Sequence, residues 1–212
     1  MVSLNLVLNT VSTMRPGLPN PKFSILAIAT LTLALGAGTA AQALPGQKVQ
    51  TVVQWAKQHS ILSPLKRSIG ELSGLPFYNS QTKVNLGTLF FAMNADRADQ
   101  ISQAETIAVG TKSAFSGFTR TNGSGLSLVG KIYNQKLTTD FVRSSYIAKV
   151  SFNDYEIRFY RGQSFGYVTT DFQSKNQDGQ KYHHFGVVPL GSLAGRVTST
   201  QQCRQRNAFG CE

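Results

Sequence analysis

From Phe23 to Ala43 the chain carries no charge, and this segment limits the rest more than any other feature. Arg15 and Lys22 lie before it. Phe23 to Leu35 (FSILAIATLTLAL) form an apolar core, Gly36, Gly38 and Thr39 loosen it, and Ala41-Gln42-Ala43 ends it on small side chains. A cationic start, a short apolar core and small residues at the cut are the parts of a secretory signal. The sequence therefore predicts a signal peptide over residues 1–43, cleavage between Ala43 and Leu44, and a secreted or periplasmic protein. The rival reading is an uncleaved anchor, since Phe23 to Ala43 approaches the roughly 20 residues that span a bilayer. Its second half is Ala, Gly, Thr and Gln, which insert weakly. Lipid anchoring would need a cysteine where Leu44 stands, and a lone Arg15 gives no twin-arginine signal.

Cleavage leaves 169 residues, enough for one domain. The whole chain has a net charge of +11, and residues 1–43 hold two basic and no acidic residues. The mature part keeps nineteen basic against ten acidic residues, a net charge of +9. Such a surface favours an anionic envelope polymer, or an envelope protein, as partner. Export makes nucleic acid a poor partner, and contact with the membrane is expected only through the signal before cleavage. Cys203 and Cys211 both fall in the last ten residues (CRQRNAFGC) and suit one disulfide in an oxidising compartment. Two cysteines without a nearby histidine cannot complete a tetrahedral zinc site, and no cofactor is expected.

Within the mature part, Val49, Val52, Val53 and Ala56 recur at helical spacing and predict a helix over Gln47–His59, with Trp55 bordering its apolar stripe. Ser63-Pro64 reads as the start of a second helix sharing Leu65, Ile69 and Leu72 and ending at Gly74. From Pro76 the period changes to two. Val84 to Ala92, Thr106 to Gly110, Ala114 to Arg120 and Leu126 to Ile132 read as strands, with Asn94 to Glu105 as a loop or frayed turn. Asn122-Gly123-Ser124-Gly125 reads as a hairpin turn; the tripeptide Asn122-Gly123-Ser124 is also a glycosylation acceptor, but turn chemistry accounts for it. Lys136 to Ser145 fits either helix or strand. Tyr146 to Phe152, Tyr155 to Tyr160, Phe165 to Asp171 and Tyr182 to Leu190 alternate cleanly, with polar Lys175–Gln180 turning the chain before the last. The expectation is an α+β domain with one or two N-terminal helices on an antiparallel sheet of six or seven strands, and a Cys-containing tail from about residue 196.

Gly162-Gln163-Ser164-Phe165-Gly166 matches G-x-S-x-G, and Asp171 or Asp178 and His183 or His184 follow in the order of a serine hydrolase. That motif requires a strand before it and a helix after it, whereas Phe165 to Asp171 reads as a strand. A glycine-rich hairpin turn accounts for the same residues. The S-x-x-K pattern occurs twice, at Ser63–Lys66 and Ser80–Lys83, without its companion motifs. His183 and His184 are adjacent on a strand, so they face opposite ways, and no third histidine or cysteine accompanies them. Arg158, Tyr160 and Arg161 on one strand, with Arg143 and Lys149 on its neighbours, form a basic and aromatic set able to hold an anionic or sugar-like ligand. Its bland counterpart is a solvated outer face.

The signal, the ALPGQ that follows it and the Trp-bearing helix together resemble small uncharacterised secreted proteins of cyanobacteria. The resemblance covers mainly residues 22–60, implies only an extracytoplasmic location and carries over no functional residue. The function read from the sequence is a non-enzymatic extracytoplasmic binding or assembly module, with a small serine hydrolase using the GQSFG turn as the alternative. Residues 2–13 are uncharged, and Met14 is followed at once by Arg15. Mass spectrometry of the precursor is expected to find a chain starting at Met14, and N-terminal sequencing of the mature protein to start at Leu44. Peptides from Val2–Thr13 would overturn the first expectation.

Overall fold

A computed structural model describes residues 44–70, 73–112, 115–121, 123–172 and 180–205, with the backbone alone at 171 and 172. The chain divides into two units, Met1–Thr39 and Ala40–Glu212, and all described residues belong to the second. The expected signal and its Ala43 side of the cut, Asp178, most of the Lys175–Gln180 turn and Cys211 lie outside the described residues. Among the described residues, no helix is long and apolar enough to cross a membrane.

The elements are α1 (Val49–Gln58), β1 (Lys66–Ile69), β2 (Pro76–Val84), β3 (Gly87–Ala95), β4 (Ser102–Thr111), α2 (Ser124–Ile132), α3 (Gln135–Arg143), β5 (Ser145–Ser151), β6 (Tyr155–Arg161), β7 (Phe165–Phe172), β8 (Lys181–Pro189) and α4 (Leu190–Gln205). The domain is α+β with an antiparallel sheet, as expected, but it has eight strands and four helices, spread along the chain. The strand order β1-β2-β3-β4-β8-β7-β6-β5 reads as two four-stranded meanders joined at their last strands. Each meander follows a helix, α1 in one case and α3 in the other.

Several segments depart from the sequence reading. The strand expected over Val84–Ala92 is interrupted by a turn at residues 85–86, which ends β2 and starts β3, and the expected loop Asn94–Glu105 is shorter, since β3 runs to Ala95 and β4 starts at Ser102. Residues 66–69 extend as β1 because their backbone pairs with β2, Lys66 opposite Asn79 and Ile69 opposite Pro76. Pairing across the sheet overrides the helix-start chemistry of Ser63-Pro64. Gly123 is the N-cap of α2 and not a hairpin turn. Leu126, Leu128 and Ile132 fit a period of two, but they also lie with Val129 on one buried helix face. Residues 115–121 are irregular rather than a strand. The expected tail from about 196 is helical as far as Gln205.

Alternation along the strands divides the core into two layers. On one face Leu89, Phe91 and Met93 of β3, Ile107 and Val109 of β4, Tyr167 of β7 and Phe185 of β8 meet Val49, Val52 and Ala56 of α1 and the apolar sides of α2 and α3. Phe141 of α3 sits at the centre, fully buried, with ring centroids 4.9 Å from Phe185 and 5.2 Å from Tyr167. Trp55 is partly buried over the same layer, 5.6 Å from Phe91 and stacked 6.4 Å from Tyr133. On the other face a smaller cluster of Ala104, Val150, Ile157, Phe159 and Val188 receives Leu193 of α4. Between β3 and β4 the backbones approach closely at Gly87, which has φ +133 and whose missing Cβ would strike the Gly110 carbonyl.

The helix-covered face holds one acid that the sequence does not single out. Glu105 of β4 is fully buried opposite Val187. Ser102 Oγ donates to its Oε1 at 3.2 Å, while Oε2 and the buried Tyr133 hydroxyl make no hydrogen bond of good geometry. Burial pushes the Glu105 carboxyl up to about 8, against the smaller opposing effects of Ser102 and Tyr133. At neutral pH the folded protein holds this acid mostly protonated, while the unfolded chain ionises it near 4.5. Its contribution is therefore fully present below about pH 4.5 and is lost as pH rises towards 8. Urea unfolding from pH 5 to 8 is expected to show stability falling by a few kcal/mol, and Glu105→Gln to flatten that slope.

Candidate functional site

The motif Gly162-Gln163-Ser164-Phe165-Gly166 is the turn between β6 and β7, closed by Gly162 N–H donating to the Phe165 carbonyl at 2.9 Å. It joins two strands and precedes no helix. α3 ends against it. Asn134 caps that helix by accepting from the Leu137 amide at 2.7 Å, and Leu137, Thr138 and Phe141 form its buried face. Asp140, one turn after exposed Lys136 on the same side of the helix, reaches the turn. Its Oδ1 accepts from the Gln163 amide at 2.7 Å, and its Oδ2 accepts from the Ser164 amide at 3.2 Å and the Tyr167 hydroxyl at 2.7 Å.

Burial raises the Asp140 carboxyl, but the Tyr167 hydroxyl and the amides of Gln163, Ser164 and Phe165 outweigh it and hold it below its usual range. Burial and the neighbouring Asp140 push the Tyr167 phenol well up, so it stays a donor. Gly162 is required here because a Cβ would collide with the Asp140 carboxylate and with Tyr167. The glycine-rich turn thus binds an internal anion, with its successive amides turned towards one carboxylate.

Ser164 is exposed on this turn, and the histidines lie far along the hairpin. Phe165 faces Pro189, whereas Thr170 faces His184 and Asp171 faces His183. Five residues of strand put roughly 17 Å between the two ends. Ser164 and the His183–Asp171 pair therefore do not converge. His183 is buried on the helix-covered face, its ring 5.2 Å from Phe115, and His184 points to the opposite face. Among the described residues no three His, Cys, Asp or Glu side chains come together as a metal site. Cys203 lies near the end of α4.

The five residues of the basic and aromatic set separate. Lys149 and Arg158 both pair with Glu156, at 2.9 Å and 2.7 Å. Tyr160 is buried, edge-on to Phe141, and Arg120 stands over its ring 5.2 Å from the centroid. Arg143 and Arg161 instead share a surface depression of about 560 Å³ with Lys136, walled by Gln135, Thr139, Ser145 and the turn residues 162–164. Among the described residues none of these three cations pairs with a carboxylate, and Asp140 at the back is committed to the turn. Lys136 and Asp140 were not marked by the sequence. Their i, i+4 spacing on a segment of undecided structure was the only available signal.

Asp140→Ala is expected to lower stability by about 1–3 kcal/mol, because it leaves two amides and the buried end of Tyr167 without their acceptor. Denaturant unfolding of the variant checks this; an unchanged midpoint would show that the turn does not depend on Asp140. No protein-family model matches the chain, and the searches of curated proteins and of solved structures likewise found no match.

Proposed function

We propose that the protein is a non-enzymatic, extracytoplasmic binding module that holds an anionic envelope polymer at the depression between α3 and the β6–β7 turn. The observation that carries this reading is the set of three cations, Lys136, Arg143 and Arg161, around one open depression, none paired with a carboxylate among the described residues. Its nearest acid is occupied by backbone amides and a tyrosine hydroxyl. Exposed guanidinium groups offer forked donors that match carboxylate and sulfate groups, and the polar walls suit a hydroxyl-rich chain. The net charge of +9 expected for the mature chain draws such polymers in. The segment 1–43 supports the extracytoplasmic setting.

An acidic glycan such as polygalacturonate is expected to bind the purified protein at low salt and to be released as salt screens the contact. Arg143→Gln with Arg161→Gln should weaken that binding about tenfold, while Lys149→Gln, whose ammonium already has a partner, should change it little. Equal binding by the double variant would remove the depression from consideration. No binding at low salt by the parent protein would overturn the reading as a whole.

A further inference from the structure

The opposite face of the sheet contains a second concavity, built differently. α4 follows β8 without a loop and seats its first turns through Leu193, which lies over Gly166 and Val188. Of its sixteen residues, only Leu193 and Thr200 are buried. Beyond Leu193, Val197 packs partly against the same cluster, while Arg196, Ser199 and Thr200 line the space between helix and sheet. A cavity of about 240 Å³ remains, with Ile157, Phe159, Val168 and Val188 as its apolar lining.

Two features of this cavity point to a ligand. The first is Gly186, in the interior of β8 and in the lining. Its pairing with Thr106 and Val168 is regular on both sides, and it lacks a positive φ. A Cβ there would make only ordinary contact, 3.5 Å from Val168 Cβ. Neither a bulge nor a close backbone approach accounts for a glycine that weakens its strand, and its missing side chain leaves the β8 backbone open to a molecule in the cavity. The second is Arg196. Its guanidinium is partly buried at the cavity, burial lowers its pKa from the usual value, and among the described residues no carboxylate pairs with it. A desolvated cation without a counter-ion costs free energy that an anion at the same place recovers.

The concavity also continues. A depression of about 290 Å³, formed by Phe90, Ala92, Ala108 and Tyr182, shares Thr106 and His184 with the cavity. The groove therefore has an apolar floor, bordered by polar Asn94, Thr170, Ser199 and Thr200, with Arg196 at its helix side.

We infer that the groove between α4 and the sheet is a binding site for an unbranched monocarboxylic acid, its chain lying on Ile157, Phe159 and Val168 and its carboxylate on Arg196. One planar guanidinium matches one carboxylate through two parallel hydrogen bonds. The apolar extension past Thr106 takes the chain. This site is separate from the basic depression and does not depend on it.

Decanoate and decanol, titrated calorimetrically into the purified protein, test the assignment. Decanoate should bind about tenfold or more tightly than decanol, and Arg196→Gln should bring it down to the alcohol's level without lowering the thermal melt of the ligand-free protein. Amide resonances of Thr106, Gly186 and Thr200 should shift on binding. Arg143→Gln with Arg161→Gln should leave decanoate affinity unchanged, and Gly186→Leu should exclude both ligands. Equal affinity for acid and alcohol in the parent protein would overturn the assignment, as would full decanoate affinity in Arg196→Gln. Binding that arises only after residues 206–212 are deleted would also overturn it, by giving the groove to this chain's own C-terminus.

Discussion

Seven residue pairs along β4 and β8, from Glu105–Val187 to Thr111–Lys181, join the two meanders into one sheet. Each meander alone would be a half-sheet with an unpaired inner edge. Their union brings Phe91 and Ile107 of the first half next to Phe185 and Tyr167 of the second, and only then do α1, α2 and α3 have a continuous layer to cover. The other side of the same seam places Thr106 beside Gly186 and Ala108 beside His184, so it also makes the floor of the groove. Glu105 lies at one end of this seam. Its burial is tolerable because a neutral acid is far cheaper than a carboxylate in an apolar layer.

A second constraint governs the other half of the molecule. The β6–β7 turn presents amides that would suit an external anion, and Asp140 fills that role from α3. Charge-assisted hydrogen bonds of this kind are among the stronger ones a surface can make. They fix the end of α3 against the hairpin, and in doing so fix Arg143 next to Arg161. The arrangement neutralises the turn and leaves the cations on the rim available. A motif that in another setting activates a serine here holds a helix in place.

What was legible in the sequence follows from where the signal is local. The helix containing Val49, Val52 and Ala56 and the alternation from Tyr146 to Leu190 are set by neighbours in sequence, and both were read directly. Gly123 misled because Asn-Gly chemistry suits a turn and a helix start alike, and Leu126, Leu128 and Ile132 satisfy both periods. Residues 66–69 form a strand only because β2 lies beside them. α4 was missed because it buries little beyond Leu193, which leaves almost no apolar stripe to detect. At the candidate site, Arg143 and Arg161 were named for their charge, but their separation from Lys149 and Arg158 depends on Glu156 reaching both of the latter. Asp140, Glu105 and Arg196 owe their importance to contacts distant in sequence, which composition and spacing do not record.

The joining of the two meanders at their last strands has a consequence for how the chain assembles. Within each meander the strands are neighbours in sequence, and hairpins of that kind form quickly. The seam instead pairs residue 105 with residue 187 across the whole of α2, α3 and the second meander, a closure that pays a large entropic cost before it gains contacts. During that interval β4 and β8 are two complementary open edges. Nothing in their register distinguishes a partner on the same chain from one on another copy, so a concentrated, partly folded population can close the seam by exchanging halves. An exchanged dimer would bury the same Ile107 and Phe185 layer and reproduce both concavities twice, with each groove floor shared between two chains.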